Sequence, residues 1–277
     1  MHGGGTGTDG VVLGNMSTYL MKLGSGNLGR GYSTGLDRKV ADSMPAYMVR
    51  FRQQNIAILL ADALAAALAG GGERAVRMVN VAGGPSMDSL NAVILVRRDH
   101  PELLAGRRVT VQVLDLDDKG PAFGVRAVEA LCAPGGPLAG VNVSLEHVAY
   151  DWSEPSCLRM VFQEGEDRVP VVCGSSEGGL FAYCTDDLIA ANLEMLHALT
   201  PAEFRMIGSV MKINETTNLL RNSTRLAIRA FEPADFDALV GRAGWSVERE
   251  LYHPTIRCLC LRKTDGRGAE TEPEVPV

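Results

Sequence analysis

The sequence predicts an α/β fold with a doubly wound, mostly parallel sheet of seven strands and an antiparallel last strand. Between residues 75 and 244, short apolar runs alternate with amphipathic, helix-like segments. Strands that alternate with helices form parallel sheets covered by helices on both faces. Two strand-like runs then follow at 245–253 and 255–263 with only a short turn between them. Because no helix connects this pair, it must form a hairpin, which makes the last strand antiparallel.

The chain divides into four predicted parts. Residues 1–15 are rich in glycine and are predicted to form a disordered leader, and residues 265–277 a disordered tail. Residues 16–72 are predicted to form a helical extension, because a capping residue and Pro45 precede a long run of helix formers that stops at three glycines. We expect this extension to cover a site on the main domain, which is assigned to residues 73–264.

Each element of the main domain follows from its hydrophobic period. Apolar residues that recur every three or four positions indicate helices, whereas short apolar runs between glycines or prolines indicate strands. The predicted strands are 75–83, 108–117, 140–152, 169–176, 203–213, 245–253 and 255–263, and the predicted helices are 86–100, 121–133, 154–165, 185–199 and 232–244. The segment 212–236 is a long polar connection, and loops of this length are often lids or binding loops.

Composition and charge exclude several classes of function. The formal net charge of −6 and the sequence pI of about 5.5 argue against a nucleic-acid partner, which needs a basic surface. No apolar run approaches the roughly 20 residues that span a bilayer, and the N-terminus lacks the pattern of a secretory signal. We therefore expect a cytoplasmic protein with no membrane partner. The six cysteines form no CxxC pair, which predicts buried thiols and no metal site.

A turn of small residues joins the first predicted strand to the first helix of the main domain, in "VNVAGGPSMDSLNAV", residues 79–93. In an open parallel sheet, ligands bind outside the carboxyl ends of the strands, where small residues let a ligand approach the backbone. A dinucleotide fingerprint would place Met87 at its third glycine position, and methionine is too bulky there. This counts against an NAD-dependent oxidoreductase, which stays open as an alternative.

The order of elements from Ala75 to Lys263, with its closing hairpin, resembles the class I S-adenosylmethionine-dependent methyltransferases. Their first motif is an acidic residue followed by glycines at alternate positions. In this sequence the motif aligns with "NVAGGPS", in which Asn80 takes the acidic position and the alternate positions hold Ala82, Gly84 and Ser86, with Gly83 between them. Because its amide is neutral, Asn80 attracts the ammonium group of the cofactor less than an acid would.

The resemblance implies further contacts to S-adenosyl-L-methionine. Asp115 closes the second strand, where the family has a carboxylate that accepts hydrogen bonds from the ribose hydroxyls, and Leu116 follows it. Asp117 is an alternative for this role, or it caps the next helix, and a plain solvated acidic turn is also open. Asp151 stands where the family meets the adenine amino group. Trp152 would lie beside the adenine or pack in the core.

The resemblance implies that the loop after the fourth strand lies beside the methyl acceptor. Its polar candidates are Ser175, near the cofactor, and Glu177, Tyr183 and Asp187, as residues that orient the acceptor. An acidic rim favours a nitrogen over an oxygen acceptor, because a carboxylate attracts a protonated amine. The alternative for Asp187 and its neighbour Asp186 is that they complement a helix dipole.

The predicted function is therefore methyl transfer to a small metabolite or a short natural-product peptide. The rival from another class is a catalytically silent S-adenosylmethionine-binding scaffold or regulator, and Asn80 in place of the acid is its best support. The sequence also leaves a homodimer open.

Overall fold

The computed structural model contains one mixed β-sheet, whose strands position the candidate site described below. The structure describes residues 20–32, 34–70, 75–163, 171–224 and 228–264. Its strands are β1 (Ala75–Val81), β2 (Arg108–Asp115), β3 (Asn142–Ala149), β4 (Val171–Ser176), β5 (Arg205–Lys212), β6 (Ala230–Phe231), β7 (Trp245–Tyr252) and β8 (Ile256–Lys263).

The strand order is β3-β2-β1-β4-β5-β8-β7, and the two-residue β6 pairs with β5 outside this path. Strands β1 to β5 pair in parallel, whereas β8 is antiparallel to both β5 and β7. The predicted fold class, including the closing hairpin, is confirmed. β6 is an addition to the seven strands that the sequence predicts.

Helices cover both faces of the sheet. They are α1 (Gly35–Ala41), α2 (Met44–Ala69), α3 (Met87–Asp99), α4 (Pro101–Leu104), α5 (Lys119–Cys132), α6 (Leu158–Gln163), α7 (Gly179–Tyr183), α8 (Asp186–Leu199), α9 (Glu215–Thr224) and α10 (Pro233–Arg242). Short 3₁₀ turns lie at Ser25–Asn27, Arg30–Tyr32 and Pro155–Cys157, and residues 20–23 are also helical. No helix in the described ranges is long and apolar enough to cross a membrane.

Helix α2 is the main element of the extension. It begins where the Ser43 hydroxyl accepts a hydrogen bond from the backbone N–H of Ala46, with Pro45 in the first turn, and it ends before Gly70. Its apolar side packs on α3 and reaches β4, β5 and β8. The helix is thus part of the core of the main domain, and a boundary at residue 72 or 73 stays a prediction.

Two apolar cores lie on opposite faces of the sheet. On one face, α2 and α3 bury Leu60 and Leu90, both fully inaccessible. On the other face, α8 and α10 pack around Trp245, whose indole N–H donates to the backbone carbonyl of Leu193 at 3.0 Å. A three-layer arrangement of this kind leaves only the edges of the sheet free to bind a ligand.

The long connection 212–236 differs from its prediction as a loop. It contains α9 and β6, and Asn214 and Thr217 cap the start of α9 reciprocally. The Thr217 hydroxyl accepts from the Asn214 backbone N–H at 3.0 Å, and the Asn214 side chain accepts from the Thr217 N–H at 2.9 Å. This polar cap is a helix-start signal that a polarity argument overlooks. The predicted disordered leader and tail, 1–15 and 265–277, lie outside the described residues.

Candidate cofactor and acceptor site

The candidate site lies where the chain reverses its winding direction. From β1 the sheet grows through β2 and β3 on one side, and β4 then adds to the other side of β1. In the β1–β4 register Asn80 is the partner of Ser175. At such a switch point the loops after two neighbouring strands separate and leave a crevice at the carboxyl edge. We call these loops the β1 turn, residues 82–86, and the β4 turn, residues 176–179.

The backbone of the β1 turn has left-handed φ angles at alternate positions. They are 53° at Ala82, 51° at Gly84 and 54° at Ser86. For residues other than glycine this conformation costs about 1–2 kcal/mol each, and such strain is concentrated at functional sites. The three positions are those that the sequence aligns with the alternate glycines. A Cβ atom added to Gly84 would meet nothing within 4 Å, so the space beside this turn is open.

Asp115 ties the end of β2 to the β1 turn. Its Oδ2 accepts from the backbone N–H of Gly84 at 2.8 Å, and its Oδ1 accepts from the N–H of Asp117 at 3.0 Å. The Asp117 carboxylate instead accepts from the N–H of Lys119 at 2.8 Å, which caps the start of α5. Because a carboxylate offers about four acceptor positions, Asp115 keeps capacity for a ligand hydroxyl.

Gly84 and Asp115 line a cavity of about 550 Å³. Lys22, Leu23 and Gln53 of the predicted extension also line this cavity. This volume lies in the range of small-molecule sites in proteins. No group of three or more His, Cys, Asp or Glu side chains within the described ranges has the arrangement of a metal site.

A buried polar network lies beneath the β1 turn. The Asn80 side-chain nitrogen donates to Asp88 Oδ1 at 2.7 Å and to Ser89 Oγ at 3.0 Å, and Ser175 Oγ donates to Asp88 Oδ2 at 2.8 Å. Asn80, Ser86 and Ser175 are fully inaccessible. Burial, followed by the nearby carboxylate of Glu177, raises the pKa of Asp88.

The remaining residues expected to contact the cofactor do not lie together. Leu116 is 71% exposed, and Asp151 is exposed and accepts from the N–H and hydroxyl of Ser153, which lowers its pKa. Trp152 is half-buried and packs partly against the core. A Cβ added to Gly179 would lie 3.5 Å from the Trp152 ring and 2.4 Å from the Ala82 Cβ. The structure therefore brings Trp152 next to both turns and leaves Leu116 and Asp151 at the surface.

Glu177 is held by two cations from the N-terminal segment. Lys22 Nζ lies 2.6 Å from Glu177 Oε2, and Arg52 Nη2 lies 3.2 Å from Oε1. Burial alone would raise the pKa of Glu177, but Lys22 and Arg52 hold it below the ordinary value. The Ser209 hydroxyl also donates to the Glu177 backbone carbonyl. Glu177 therefore joins the extension to the β4 turn.

Tyr183 and Asp187 follow the β4 turn in the chain, at the end of α7 and in the first turn of α8. Tyr183 is 36% exposed, and burial of its ring raises its pKa while the charge of Arg52 opposes this. Asp187 is exposed in the first turn of α8, which Thr185 caps, and its charge complements the helix dipole there. Asp186 pairs instead with Arg229.

Three residues of this region were not expected from the sequence: Lys22, Arg52 and Asp88. The first two reach Glu177 over 155 and 125 residues, and no local pattern encodes such a pairing. Asp88 had a weak signal, since it is an acidic residue in the first turn of a helix that follows a small-residue turn.

Solved structures share this architecture. Magnesium protoporphyrin IX methyltransferase from Synechocystis PCC 6803, solved with bound SAH, matches with a TM-score of 0.52 and 17% identity, over 84% of this chain and 96% of that chain. This chain therefore shares the fold of that methyltransferase. A possible exported protein from Bordetella parapertussis matches with a TM-score of 0.61 and 16% identity, over 90% of this chain and 78% of that one.

At these identities the similarity establishes the shared fold. No protein-family model and no curated protein sequence matches the chain. The methyltransferase fold also separates this chain from the dinucleotide-binding fold, whose doubly wound sheet has the order 3-2-1-4-5-6. In this chain β8 enters antiparallel between β5 and β7.

Proposed function

We propose that this protein is an S-adenosylmethionine-dependent methyltransferase that acts on a small molecule. The observation that carries the proposal is the β1 turn, in which left-handed backbone at Ala82, Gly84 and Ser86 lies against the Asp115 carboxylate and beside open space. Small residues let a ligand approach the backbone of such a turn, and backbone strain of this kind is concentrated at functional sites. The methyltransferase that shares the fold was solved with bound SAH, the demethylated product.

The cofactor supplies a methyl group on a sulfonium, which is already reactive, so the protein mainly aligns the acceptor and excludes water. We assign Asp115 to the ribose hydroxyls and the backbone of the β1 turn to the methionine part. Trp152, next to Gly179, lies within reach of an adenine placed beside the two turns. Leu116 and Asp151 are exposed, so Leu116 is retained as a cofactor contact and Asp151 as an adenine contact only for a ligand that extends over the carboxyl ends of β2 and β3.

On the acceptor side we retain Glu177, Tyr183 and Asp187 in different roles. Glu177 already has Lys22 and Arg52 as counterions, so an amine acceptor would compete with two fixed cations. The charge of Glu177 is thereby neutralised. The preference for a nitrogen over an oxygen acceptor therefore rests on Asp187 alone. Tyr183, beside Arg52, offers a hydroxyl to an acceptor such as a small metabolite or a short natural-product peptide. Its raised pKa keeps that hydroxyl neutral, as a hydrogen-bond donor.

Calorimetric titration tests the proposal directly. We expect S-adenosylmethionine and its product to bind, and NAD to give no signal. Asp115→Ala should weaken cofactor binding by about 1–3 kcal/mol, because it removes acceptors from buried hydroxyls. Asp117→Ala tests the alternative ribose ligand, because Asp117 lines the same cavity but already accepts from the Lys119 N–H, and it should leave the affinity within about twofold. Equal effects of the two variants would remove the ribose assignment, and binding of NAD alone would overturn the proposal.

A second experiment separates the enzyme from a silent binding protein. Turnover of labelled cofactor over a panel of amine, hydroxyl and peptide acceptors should transfer label to at least one class. If the cofactor binds with ordinary affinity while no acceptor is labelled, the scaffold or regulator is the better description.

A further inference from the structure

A second cavity adjoins the proposed cofactor cavity and lies between α2 and α3. Its volume is about 400 Å³, and it shares Lys22, Gln53 and Asn91 with the cavity of about 550 Å³ at the β1 turn. Gly84 and Asp115, which we assign to the cofactor, line only the larger cavity. Because about 400 Å³ is within the range of small-molecule sites, the smaller cavity offers space for a second ligand beside the cofactor.

Part of the wall of the second cavity is apolar. Ala57 and Ile58 line it from α2, and Ile94 and Leu95 line it from α3. Each pair is adjacent in sequence and lies three or four positions from a polar residue of the same wall, which is the spacing of one helix face. These side chains suit the apolar body of a small ligand.

Positive charge is concentrated along this cavity, and no described carboxylate lines it. Its cations are Lys22, Arg50 and Arg98, of which Lys22 pairs with Glu177 and Arg98 with its neighbour Asp99. Arg50 has no ion pair with any described carboxylate, and its Nη1 donates to two backbone carbonyls at 3.0 and 2.7 Å. The charge of Arg50 is therefore uncompensated in a chain whose net charge is −6, and the cavity favours an anion.

Gln53 lies where the two cavities meet, and its carboxamide has no hydrogen-bond partner among the described residues. The residue is only 8% exposed, yet its side chain lines both cavities, so a ligand reaches the amide. Asn91, half-buried on the opposite helix, adds a second carboxamide without a described partner. A buried polar group without a partner is uncommon in folded proteins, so the Gln53 amide indicates a contact that a ligand completes.

We propose that the second cavity binds the methyl acceptor, and that this acceptor is a small carboxylate with an apolar body. Gln53 and Asn91 donate N–H groups to its carboxylate near Lys22 and Arg50, and the apolar wall encloses the body. This contact anchors the acceptor by its carboxylate and does not depend on which of its atoms is methylated. The inference rests on the proposed function, since it names the substrate class of the same site.

Three pairs of probes that differ in charge test the inference. Benzoate, 2-naphthoate and octanoate are each compared with their carboxamide by titration, with and without saturating S-adenosylhomocysteine. At least one acid should bind roughly tenfold more tightly than its amide, the difference expected for hydrogen bonds to a charged group. Added salt should reduce this difference, because it screens the cations. If no acid binds more tightly than its amide, the inference is wrong.

Gln53→Leu removes the carboxamide at similar volume and leaves no protein group unpaired, so the variant should be as stable as wild type in urea. It should reduce the preference for the acid to within about threefold. Gln53→Glu should bind the acids still more weakly, because its carboxylate competes for the same cations. Gln112→Leu is the matched control, since Gln112 is 6% exposed, its Oε1 lacks a partner and it lines neither cavity. Equal losses with Gln53→Leu and Gln112→Leu would overturn the inference.

S-adenosylhomocysteine separates the acceptor from the cofactor, whose amino-acid part also carries a carboxylate. Gln53→Leu should change the affinity for S-adenosylhomocysteine by less than about twofold. A loss of this ligand with the acids unaffected would assign Gln53 to the cofactor and refute the inference. If wild type binds no S-adenosylhomocysteine but still prefers the acids, the proposed function fails, whereas the carboxylate site stands.

Discussion

The β1 turn and the β4 turn are both built from small residues after neighbouring parallel strands, yet they differ in the space beside those residues. In the β1 turn the backbone is left-handed, and a Cβ at Gly84 would enter open space. In the β4 turn the glycines are close-packed, with Gly178 against Arg52 and Gly179 against Ala82. Gly83 of the β1 turn is also close-packed, with an added Cβ 2.2 Å from Asn80 Oδ1, so the feature that distinguishes the β1 turn is the open space beside Gly84.

The largest expected loss of stability comes from the close packing of Gly179 against Ala82. Gly179→Ala would place a Cβ 2.4 Å from that of Ala82, so the free energy of unfolding should fall by about 2–3 kcal/mol. Urea unfolding measures this. Gly241→Ala, in α10 with nothing within 4 Å of an added Cβ, is the matched control and should be neutral or slightly stabilising. Adding Ala82→Gly to Gly179→Ala should restore most of the stability, and its failure to do so would contradict this explanation of the β4 turn.

The second largest loss of stability is expected on removing the charge of Glu177, which also lies in the β4 turn. Glu177→Gln leaves Lys22 and Arg52 without their counterion and should lower the free energy of unfolding by about 2 kcal/mol, less than for a fully buried pair because both cations keep some exposure. The lowered pKa of Glu177 means that this contribution is present above its ordinary value of 4.5 and is lost as the pH falls below it. The difference between the variant and wild type should be the same in unfolding experiments at pH 7 and pH 5 and smaller at pH 4.

The control for Glu177→Gln is an exposed ion pair made by Asp62 of α2, the helix that also carries Arg52. Asp62→Asn breaks the contact between Asp62 and Arg249, both about half exposed, and should cost less than about 1 kcal/mol. If the two variants lower the free energy of unfolding equally, burial does not strengthen the ion pairs of Glu177 with Lys22 and Arg52.

Gly84→Val tests the proposed cofactor contact of the β1 turn. The left-handed φ of 51° should cost about 1–2 kcal/mol of stability, and the branched side chain should also fill the space beside the turn and weaken cofactor binding at least tenfold. Gly135→Val is a matched control, because Gly135 has a φ of 84° and open space around it but lies in the loop after α5. Both folded variants are titrated with the cofactor. If Gly135→Val weakens cofactor binding as much as Gly84→Val does, the loss of binding comes from lower stability alone.

The smallest effect should be a gain. Ser86→Gly relieves the left-handed strain at φ 54° and should raise the free energy of unfolding by about 0.5–1 kcal/mol, after the entropy cost of glycine. Ser86→Ala keeps the strain and removes only the hydroxyl, so it should not stabilise the protein. Equal stabilisation by both variants would trace the gain to the hydroxyl and not to the backbone.

The fold was largely predictable because its signals are local. The apolar runs of β1 and β2, the glycine stop after α2, and the pair β7 and β8 without a helix between them each reveal an element within a few residues. The segment 212–236 was misjudged as a loop because polarity was read without the Asn214–Thr217 cap.

The site was less predictable because it depends on long-range contacts. The alternate positions Ala82, Gly84 and Ser86, which the resemblance aligns with glycines, all have left-handed backbone, although this conformation disfavours Ala and Ser. The counterions of Glu177 do not follow from the sequence, because they come from a segment more than a hundred residues away. An acidic residue seen alone in the sequence suggests a free carboxylate, and only the packing of α2 shows that this one is neutralised.

The ion pair between Lys22 and Glu177 has a consequence for biosynthesis. Its two residues are 155 positions apart, so at the usual rate of translation roughly 8–30 s separate their appearance from the ribosome. During this interval α2 has neither its β4 nor its β8 neighbour and exposes apolar surface. We expect a nascent chain arrested before residue 171 to bind chaperones, and one released after residue 264 to do so far less.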